Sequence, residues 1–521
     1  MKKNLITPAL IVLIMMALPV SCKEKRPSDL SKESIIPKPV SVVSTGDYFI
    51  MKPKCKIFIY GESEEIKKAG QYLAENLKAL TGFETAIKTA SGEPWSGNIF
   101  LELSNVNEEL GDEGYELTIT TQLVKLTAAK PAGLNRGAQT IRQILSSNTD
   151  TVSKKNKTWK IATGTITDYP AYSYRGAMLD VSRHFFGVEV VKQFIDYLAF
   201  YKMNVLHLHL SDDQGWRIEI KSWPNLTQYG STTQVGGGKG GYYTQEQYAE
   251  IVKYAQEHFI TIVPEIDMPG HTNAALASYP ELNCDGKAPE LYTGTEVGFS
   301  TLCTNKEITY KFIDDVIREL AAMTPGPYIH IGGDESHATK IEDYIPFVNR
   351  VQEIVAKYDK QVIGWDEIAL STLKPNSVAQ HWANITNAKK AVSQGAKILM
   401  SPAVKAYIDM QYDSTTPLGL HWAAYIEVDS AYIWDPLTQI KGLQKENIIG
   451  IEAALWSETL TNLDEIEYMV FPRLPGHAEI GWTPPALREW DEYKLRLADH
   501  ARHFKAMDIN YYQSKKVPWA E

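Results

Sequence analysis

The chain is 521 residues long, with 44% apolar and 22% charged residues; at ~150 residues per domain it holds several units and ample material for a core. This balance excludes a fibrous or intrinsically disordered chain. A net charge of −10 argues against a nucleic-acid binder, which needs a basic stripe to meet phosphates, while 12 Trp and 28 Tyr supply flat rings whose default use is core and interface packing and which also suit sugars or other ring-shaped ligands.

The chain opens on Lys2 and Lys3, followed by a short apolar stretch over residues 5–18 and then Pro19-Val20-Ser21-Cys22. The stretch is too short for a comfortable membrane span and reads as a secretory signal covering residues 1–22. A cysteine directly after small residues resembles a bacterial lipobox, with Cys22 as the lipidated first residue of the mature protein. Pro19 stands where that pattern has Leu, which leaves ordinary signal-peptidase cleavage open. Residues 23–33 are rich in Lys, Ser and Pro and are expected to form a tether. No later apolar run reaches the ~18 residues of a spanning helix. The expectation is an exported protein, soluble apart from a lipid anchor at a bacterial outer membrane, facing periplasm or cell surface.

Residues 34–168 predict a small α/β domain. Strand-like runs occur at 48–50, 57–60, 99–103, 115–120 and 124–128. One helix is marked by Ile66, Ala69, Leu73, Leu77 and Leu80 on a single face, and a second follows Pro131 with Leu134, Ala138, Ile141 and Leu145. No chemical constellation falls here, and the domain reads as a packing or positioning unit. Of the cysteines left after Cys22, Cys284 and Cys303 lie 19 residues apart in one loop-rich stretch. An exported protein permits a bridge between them, leaving Cys55 as a buried free thiol. No CxxC or Cys/His array suggests zinc.

From Tyr174 the pattern becomes strand, loop, helix, repeated. Strands are expected at 174–180, 204–210, 261–266, 328–332, 361–364, 377–380, 397–400 and 448–454, with amphipathic helices between several of them. Eight parallel βα units over residues 169–510 predict a (β/α)8 barrel following the smaller α/β domain, with a tail at 511–521. An open doubly wound sheet is the alternative, but no glycine-rich phosphate turn follows the first strand. In a barrel the C-terminal strand ends line one mouth. Here they carry Arg175 and Asp180, Asp212-Asp213, Glu265 with Asp267 and His271, and Asp334-Glu335. Trp365-Asp366-Glu367, His381-Trp382, Tyr407 with Asp409, and Trp456 with Glu458 follow. One acid after a strand is commonly a helix cap or turn former; the convergence points to a site.

The sharpest segment is His330-Ile331-Gly332-Gly333-Asp334-Glu335, where an apolar strand runs through two glycines into paired carboxyls. This segment resembles the signature of family-20 glycoside hydrolases, the exo-acting β-N-acetylhexosaminidases. The resemblance extends to Ile35-Ile36-Pro37-Lys38-Pro39, Gly114-Tyr115-Glu116-Leu117 and the segment 137–143, and then to Tyr174-Arg175-Gly176. It continues through 206–214, 264–271, Gly364-Trp365-Asp366-Glu367 and Leu455-Trp456-Ser457-Glu458. It implies release of terminal β-linked N-acetylglucosamine or N-acetylgalactosamine from glycans with no metal or organic cofactor. Glu335 is implied as general acid/base, and Asp334 as the group holding the substrate's 2-acetamido N–H. The acetamido oxygen itself is implied as nucleophile, giving an oxazoline and net retention, with Tyr407 bonded to it. The resemblance further implies Trp365, Trp382 and Trp456 around the acetamido group, Arg175, Asp409 and Glu458 on ring hydroxyls, and His271 with Asp212 or Asp213 behind Glu335.

Elementary geometry reaches part of this independently. A carboxylate nucleophile stands about 5–5.5 Å from the acid, flanking the scissile bond, whereas neighbours on an extended strand point to opposite faces. An oxygen tethered two carbons away gains a large effective molarity. His207-Leu208-His209 offers another reading, the metal pair of a barrel amidohydrolase or deacetylase; since both residues precede Asp212 they are expected inside the barrel wall as a packed, hydrogen-bonded pair. Gly236-Gly237-Gly238-Lys239-Gly240-Gly241 lacks the phosphate-loop spacing and reads as a loop. A non-catalytic glycan-binding lipoprotein is the remaining alternative, and retention of both Asp334 and Glu335 weighs against it.

Overall fold

The computed structural model describes residues 28–104, 107–147 and 159–519. Cys22, the signal segment and residues 23–27 of the expected tether lie outside them. Residues 28–33 are not a tether: Asp29 caps the short turn Leu30–Lys32, and Leu30 is fully buried in the core of the small domain.

The small domain is a seven-stranded mixed sheet in the order Ser41–Met51, Trp159–Asp168, Tyr115–Ile119, Leu123–Ala128, Asn98–Leu103, Ile57–Tyr60, Ile87–Ala90. The helices Glu64–Thr81 and Pro131–Ser147 pack on each other and on this sheet. The first starts at Ser63, whose hydroxyl accepts from the Ile66 N–H, and stops at Gly82 in the left-handed region. Leu73, Leu77, Leu134, Ile141 and Leu145 point inward as their spacing requires.

The second unit is a closed barrel of eight parallel strands: Tyr174–Asp180, Val205–His209, Thr261–Glu265, Tyr328–His330, Gln361–Trp365, Val378–His381, Lys397–Met400 and Ile448–Leu455. Strand alternation sorts their side chains. Ala177, Leu179, Leu206, Leu208 and Ile329 face the surrounding helices. Inside, Tyr174, Val205, Val263, Ile363, Val378 and Leu399 form an apolar layer. A polar layer of His207, Glu265, His330, Gln380 and Glu452 follows, and then an aromatic layer of Trp365, Tyr407 and Trp456 at the mouth. Residues 511–519 of the expected tail are also structured: Tyr512 stacks on Tyr412 with centroids 4.0 Å apart, Val517 is buried, and Ser514 donates to Glu427.

The two units meet through a buried charged seam. Asp168 accepts from Tyr115 (2.7 Å), Lys202 (2.9 Å) and Trp482 (2.8 Å), and Glu113 receives Arg136 and Arg175 at 2.9 and 2.7 Å.

Candidate active site at the barrel mouth

The fourth barrel strand ends at His330, and the next residues turn sharply. Gly332 and Gly333 have φ of +64° and +99°, and Glu335 itself has φ +42°. A Cβ on Gly332 would lie 1.7 Å from Asp267 Oδ1, the atom that accepts the Gly333 N–H at 3.0 Å. Only glycine fits there. The left-handed conformation at Glu335, unfavourable for a side-chain-bearing residue, is held by this packing. It also corrects the opposite-faces geometry expected of an extended strand. The turn brings both carboxyls to one imidazole, with His271 Nε2 3.7 Å from Asp334 Oδ2 and 3.7 Å from Glu335 Oε2.

Behind His271, Nδ1 lies 3.2 Å from Asp212 Oδ1. Asp212, not Asp213, is the supporting acid. Asp213 Oδ2 is 4.0 Å away, and its Oδ1 is occupied by the Asn273 N–H and the Ser300 hydroxyl. The bonds from Asn273 and Ser300 hold Asp213 away, which leaves Asp212 nearer the imidazole. Asp212 Oδ2 also meets His209 Nε2 at 2.8 Å and Arg183 Nη2 at 3.0 Å.

Charge follows this geometry. Against burial, Arg183 and His271 hold Asp212 far below the usual carboxylate range. Against burial, Asp212 and then Asp334 raise His271 well above an ordinary histidine. Burial and the nearby Asp267 carboxylate drive Asp334 well up. Burial also raises Glu335, but the facing His271 imidazole outweighs it and leaves it lowered. Its side chain remains 31% exposed, so a ligand covering it would remove water and push it upward.

Arg175 is not in the site. It is the second residue of the first strand, at the opposite end of the barrel, and five positions from Asp180, which places it on the other strand face. Its guanidinium bonds Glu113, the Tyr172 carbonyl (2.8 Å) and the Lys202 carbonyl. The arginine at the mouth is Arg183, in the loop after that strand. It lies 3.4 Å from Asp180 and 4.6 Å from the centroid of the Trp456 ring, with Glu458 and Asp334 acting on its charge. Its signal was its place just beyond a strand's C-terminal end.

The aromatic residues converge as expected. Trp365 and Trp456 lie 5.7 Å apart, Tyr407 is 6.2 Å from Trp456, and Trp382 stacks near-parallel to Tyr407 at 6.4 Å. Trp382 Nε1 donates to Glu367 Oε2 at 3.1 Å, and burial beside Asp334 pushes Glu367 up to about 8. Trp422 was not anticipated; it sits 5.9 Å from Tyr407 and 57% exposed at the rim, on a loop with no periodic signature. Asp409 is buried, and burial together with Glu458 raises it strongly. Asp334 Oδ1 and Asp409 Oδ1 are both buried without a hydrogen-bond partner among the described residues.

His207 and His209 lie within the barrel, their nitrogens turned to carboxylates: His207 to Glu452 at 2.8 Å and His209 to Glu265 at 2.6 Å. This is the packed pair expected from their position. The Cys284–Cys303 disulfide is formed, and Cys55 is a buried free thiol raised to about 12 by burial. The bridge closes the loop that carries Ser300, whose hydroxyl holds Asp213 and the Thr272 N–H beside His271.

Comparison with known proteins adds an independent line. Sequence models match in both units: "Glycosyl hydrolase family 20, catalytic domain" over residues 172–485 and "Glycosyl hydrolase family 20, domain 2" over residues 32–169. The chain belongs to glycosyl hydrolase family 20. Among relatives of this family, it is 42% identical to a β-N-acetylhexosaminidase of Cellulomonas fimi over 93% of this chain and 97% of that one. The solved family-20 β-N-acetylhexosaminidase of Streptomyces coelicolor A3(2) superposes with a TM-score of 0.89 at 48% identity, covering 95% of this chain and all of that one. A variant β-hexosaminidase of Streptomyces plicatus, solved with its product GlcNAc, matches with the same TM-score at 49% identity over 95% and 99%.

Proposed function

We propose that this family-20 chain is an exo-acting, retaining β-N-acetylhexosaminidase in which the substrate's own acetamido oxygen is the nucleophile. One observation carries the reading: Asp334 and Glu335, neighbours in sequence, share one imidazole beneath an aromatic cage. Two carboxyls so close suit one proton donor and one group that steers the substrate, rather than acid and nucleophile on opposite sides of a sugar carbon.

The acetamido carbonyl oxygen attacks the anomeric carbon while the glycosidic C–O bond breaks. The bonding pair leaves with the aglycone oxygen, which takes the proton of Glu335. The acetamido N–H and the positive charge that develops on it favour the ionised form of Asp334 against the burial that raises it, so Asp334 holds that N–H and balances the charge, and the Tyr407 hydroxyl donates to the acetamido oxygen. Glu335, now ionised, removes a proton from water, which opens the oxazoline at the anomeric carbon with net retention. Substrate cover over Glu335 raises its pKa for the first step, and His271 backed by Asp212 stabilises the carboxylate formed in it. Trp365, Trp382 and Trp456 wall the acetamido group, and Arg183, Asp409 and Glu458 take ring hydroxyls.

Turnover of 2-acetamido glucosides and galactosides beside the 2-hydroxy glucosides tests the reading. Only the 2-acetamido sugars should react, successive fluorination of the acetyl group should slow them progressively, and a ring-fused thiazoline should inhibit strongly. A flat fluorine series together with a covalent adduct on a carboxylate would overturn it.

We further infer that the protein is exported and anchored through Cys22, which follows a short apolar segment and precedes the polar stretch Lys23-Glu24-Lys25-Arg26-Pro27. Among the described residues no helix is long and apolar enough to cross a membrane. Cys22→Ala should move the protein from the membrane to the soluble fraction; unchanged fractionation without N-terminal lipid would refute the anchor.

A further inference from the structure

Glu265 ends the third barrel strand, is fully buried, and has no place in the chemistry described above. Its two oxygens face different parts of the site. Oε2 lies 2.6 Å from His209 Nδ1 and 2.9 Å from His207 Nε2. Oε1 accepts from Trp365 Nε1 at 3.0 Å and lies 2.9 Å from His330 Nδ1, which accepts the Gly332 N–H at 3.1 Å.

From the first oxygen a continuous path of contacts reaches the proton-handling group. His209 Nε2 meets Asp212 at 2.8 Å, Asp212 meets His271 Nδ1 at 3.2 Å, and His271 Nε2 stands 3.7 Å from Glu335. From the second oxygen the path is one step long, to the indole of Trp365, whose ring packs against Trp456 in the cage. His330 sits edge-on to Trp365 with centroids 5.2 Å apart.

We propose that Glu265 is a positioning residue whose single carboxylate fixes both the His209–Asp212–His271 support of Glu335 and the orientation of the Trp365 wall. The inference rests on the hexosaminidase reading of the mouth. It touches no substrate, so its influence runs entirely through these two arms.

The physical basis is alternation of charge in a dry interior. Glu452, His207, Glu265, His209, Asp212 and His271 succeed one another with opposite charges in contact, and Tyr174 and Gln380 close the far end on Glu452. Asp267 faces this series beside Glu265, Arg183 lies on Asp212, and Asp213, Asp334 and Glu335 approach His271. Against burial, His330, His209 and His207 hold Glu265 far below the usual carboxylate range, and Glu265 with Asp212 holds His209 well above the usual histidine. A buried carboxylate surrounded by donors gives strong, directional contacts on both oxygens. An amide of the same shape offers one acceptor atom where the carboxylate offers two, and no charge.

The two arms predict separable defects. Failure of the Glu335 arm matters most when the leaving group needs protonation, so its cost grows with leaving-group basicity. Failure of the Trp365 arm loosens the cage around the acetamido group, so it weakens binding of the thiazoline mimic whatever the leaving group. The experiment measures kcat/KM on aryl N-acetylglucosaminides of graded leaving group and Ki for a ring-fused thiazoline. His209→Gln should lose at least 10-fold more on the poorest leaving group than on the best, with a smaller loss of thiazoline affinity than His330→Gln, because its ring also packs on Trp456. His330→Gln should weaken the thiazoline at least 10-fold with a smaller leaving-group trend than His209→Gln, because its Nδ1 also takes the Gly332 N–H. Glu265→Gln should show both defects. A uniform loss across leaving groups with unchanged thiazoline affinity in Glu265→Gln, or one shared pattern in all variants, would overturn the proposal. If Glu265→Gln does not fold, the separation between His209→Gln and His330→Gln decides alone. Selectivity of the wild-type protein for 2-acetamido over 2-hydroxy glycosides tests the underlying reading separately.

Discussion

The molecule holds two buried clusters rich in charge, and they are built on opposite principles. At the seam between the units, acids and bases are matched: Glu113 with Arg136 and Arg175, and Asp168 with Lys202, Tyr115 and Trp482. At the mouth, acids outnumber bases. Asp334, Asp409 and Glu367 are pushed up, and polar atoms of Asp213, Asp267, His271, Asp334 and Asp409 lack hydrogen-bond partners among the described residues. The matched cluster stabilises the fold. The unmatched one holds strained backbone and displaced pKa values, features that cluster where a protein binds and reacts. Substrate hydroxyls and the acetamido group supply the partners that the mouth lacks.

The largest test of this contrast lies at Glu335. Glu335→Gln should lower kcat/KM on natural glycans by about 10³-fold, within the usual range for general acid–base catalysis. Aryl glycosides with good leaving groups should suffer less, and the melting temperature should change little. Steady-state kinetics beside a thermal melt reads both, and equal losses on the two substrate types would remove Glu335 from the acid role.

The two arginines sharpen the contrast. Arg183→Met at the mouth should cost on the order of 10²-fold in kcat/KM with a modest effect on stability. Arg175→Met at the seam should leave the kinetic constants of the folded fraction near normal but destabilise by about 3 kcal/mol, because Glu113 loses one of its two cationic partners and the buried Tyr172 and Lys202 carbonyls lose their donor. Urea unfolding and active-site titration separate the two outcomes; a binding defect from Arg175→Met would break the division.

The seam should also govern acid sensitivity. Burial opposes ionisation of Glu113, yet Arg175 and Arg136 hold it at about 2 against an ordinary 4.5. A carboxyl lowered in the folded state contributes stability that is complete above pH 4.5 and disappears as pH falls toward 2, here on the order of 3 kcal/mol. Unfolding free energy measured from pH 6 to pH 2.5 should fall in that window, and Glu113→Gln should flatten the fall.

The smallest effect has the opposite sign. Asp409 is raised by burial and by Glu458, so its ionised form opposes folding at neutral pH. Asp409→Asn should increase stability by about 0.5–2 kcal/mol while activity falls. A loss of stability would show that Asp409 is matched within the fold after all.

Much of this site was legible from local pattern. Gly332-Gly333-Asp334-Glu335 at a strand end, the histidines ahead of Asp212, and Trp365, Trp382 and Trp456 at the ends of the fifth, sixth and eighth strands each carry their position in the βα repeat. What was misread depended on direction rather than position. Arg175 and Asp180 share a strand, yet odd spacing places them on opposite faces, and Arg175 lies at the strand's first turn of the barrel rather than its mouth. Asp212 and Asp213 are indistinguishable as letters; the bonds of Asn273 and Ser300 to Asp213 leave Asp212 for His271. Trp422 lies in an irregular loop, where no period reports a neighbour. Leu30 and Val517 fall in stretches polar enough to read as tether and tail, and become core only because the sheet and barrel present apolar surface to them.

By itself the amino-acid order determined the eight βα units, the small domain before them and the pair of acids, because hydrophobic period and glycine placement act over a few residues. Only the tertiary structure decided that Arg183 reaches the mouth while Arg175 joins the seam, that Asp212 backs His271, and that Glu265 stands between Trp365 and His209. Those choices depend on contacts between strands tens to hundreds of residues apart. No local preference encodes them, and burial makes each choice exclusive because a carboxylate in a dry interior keeps only the partners that the closed barrel brings to it.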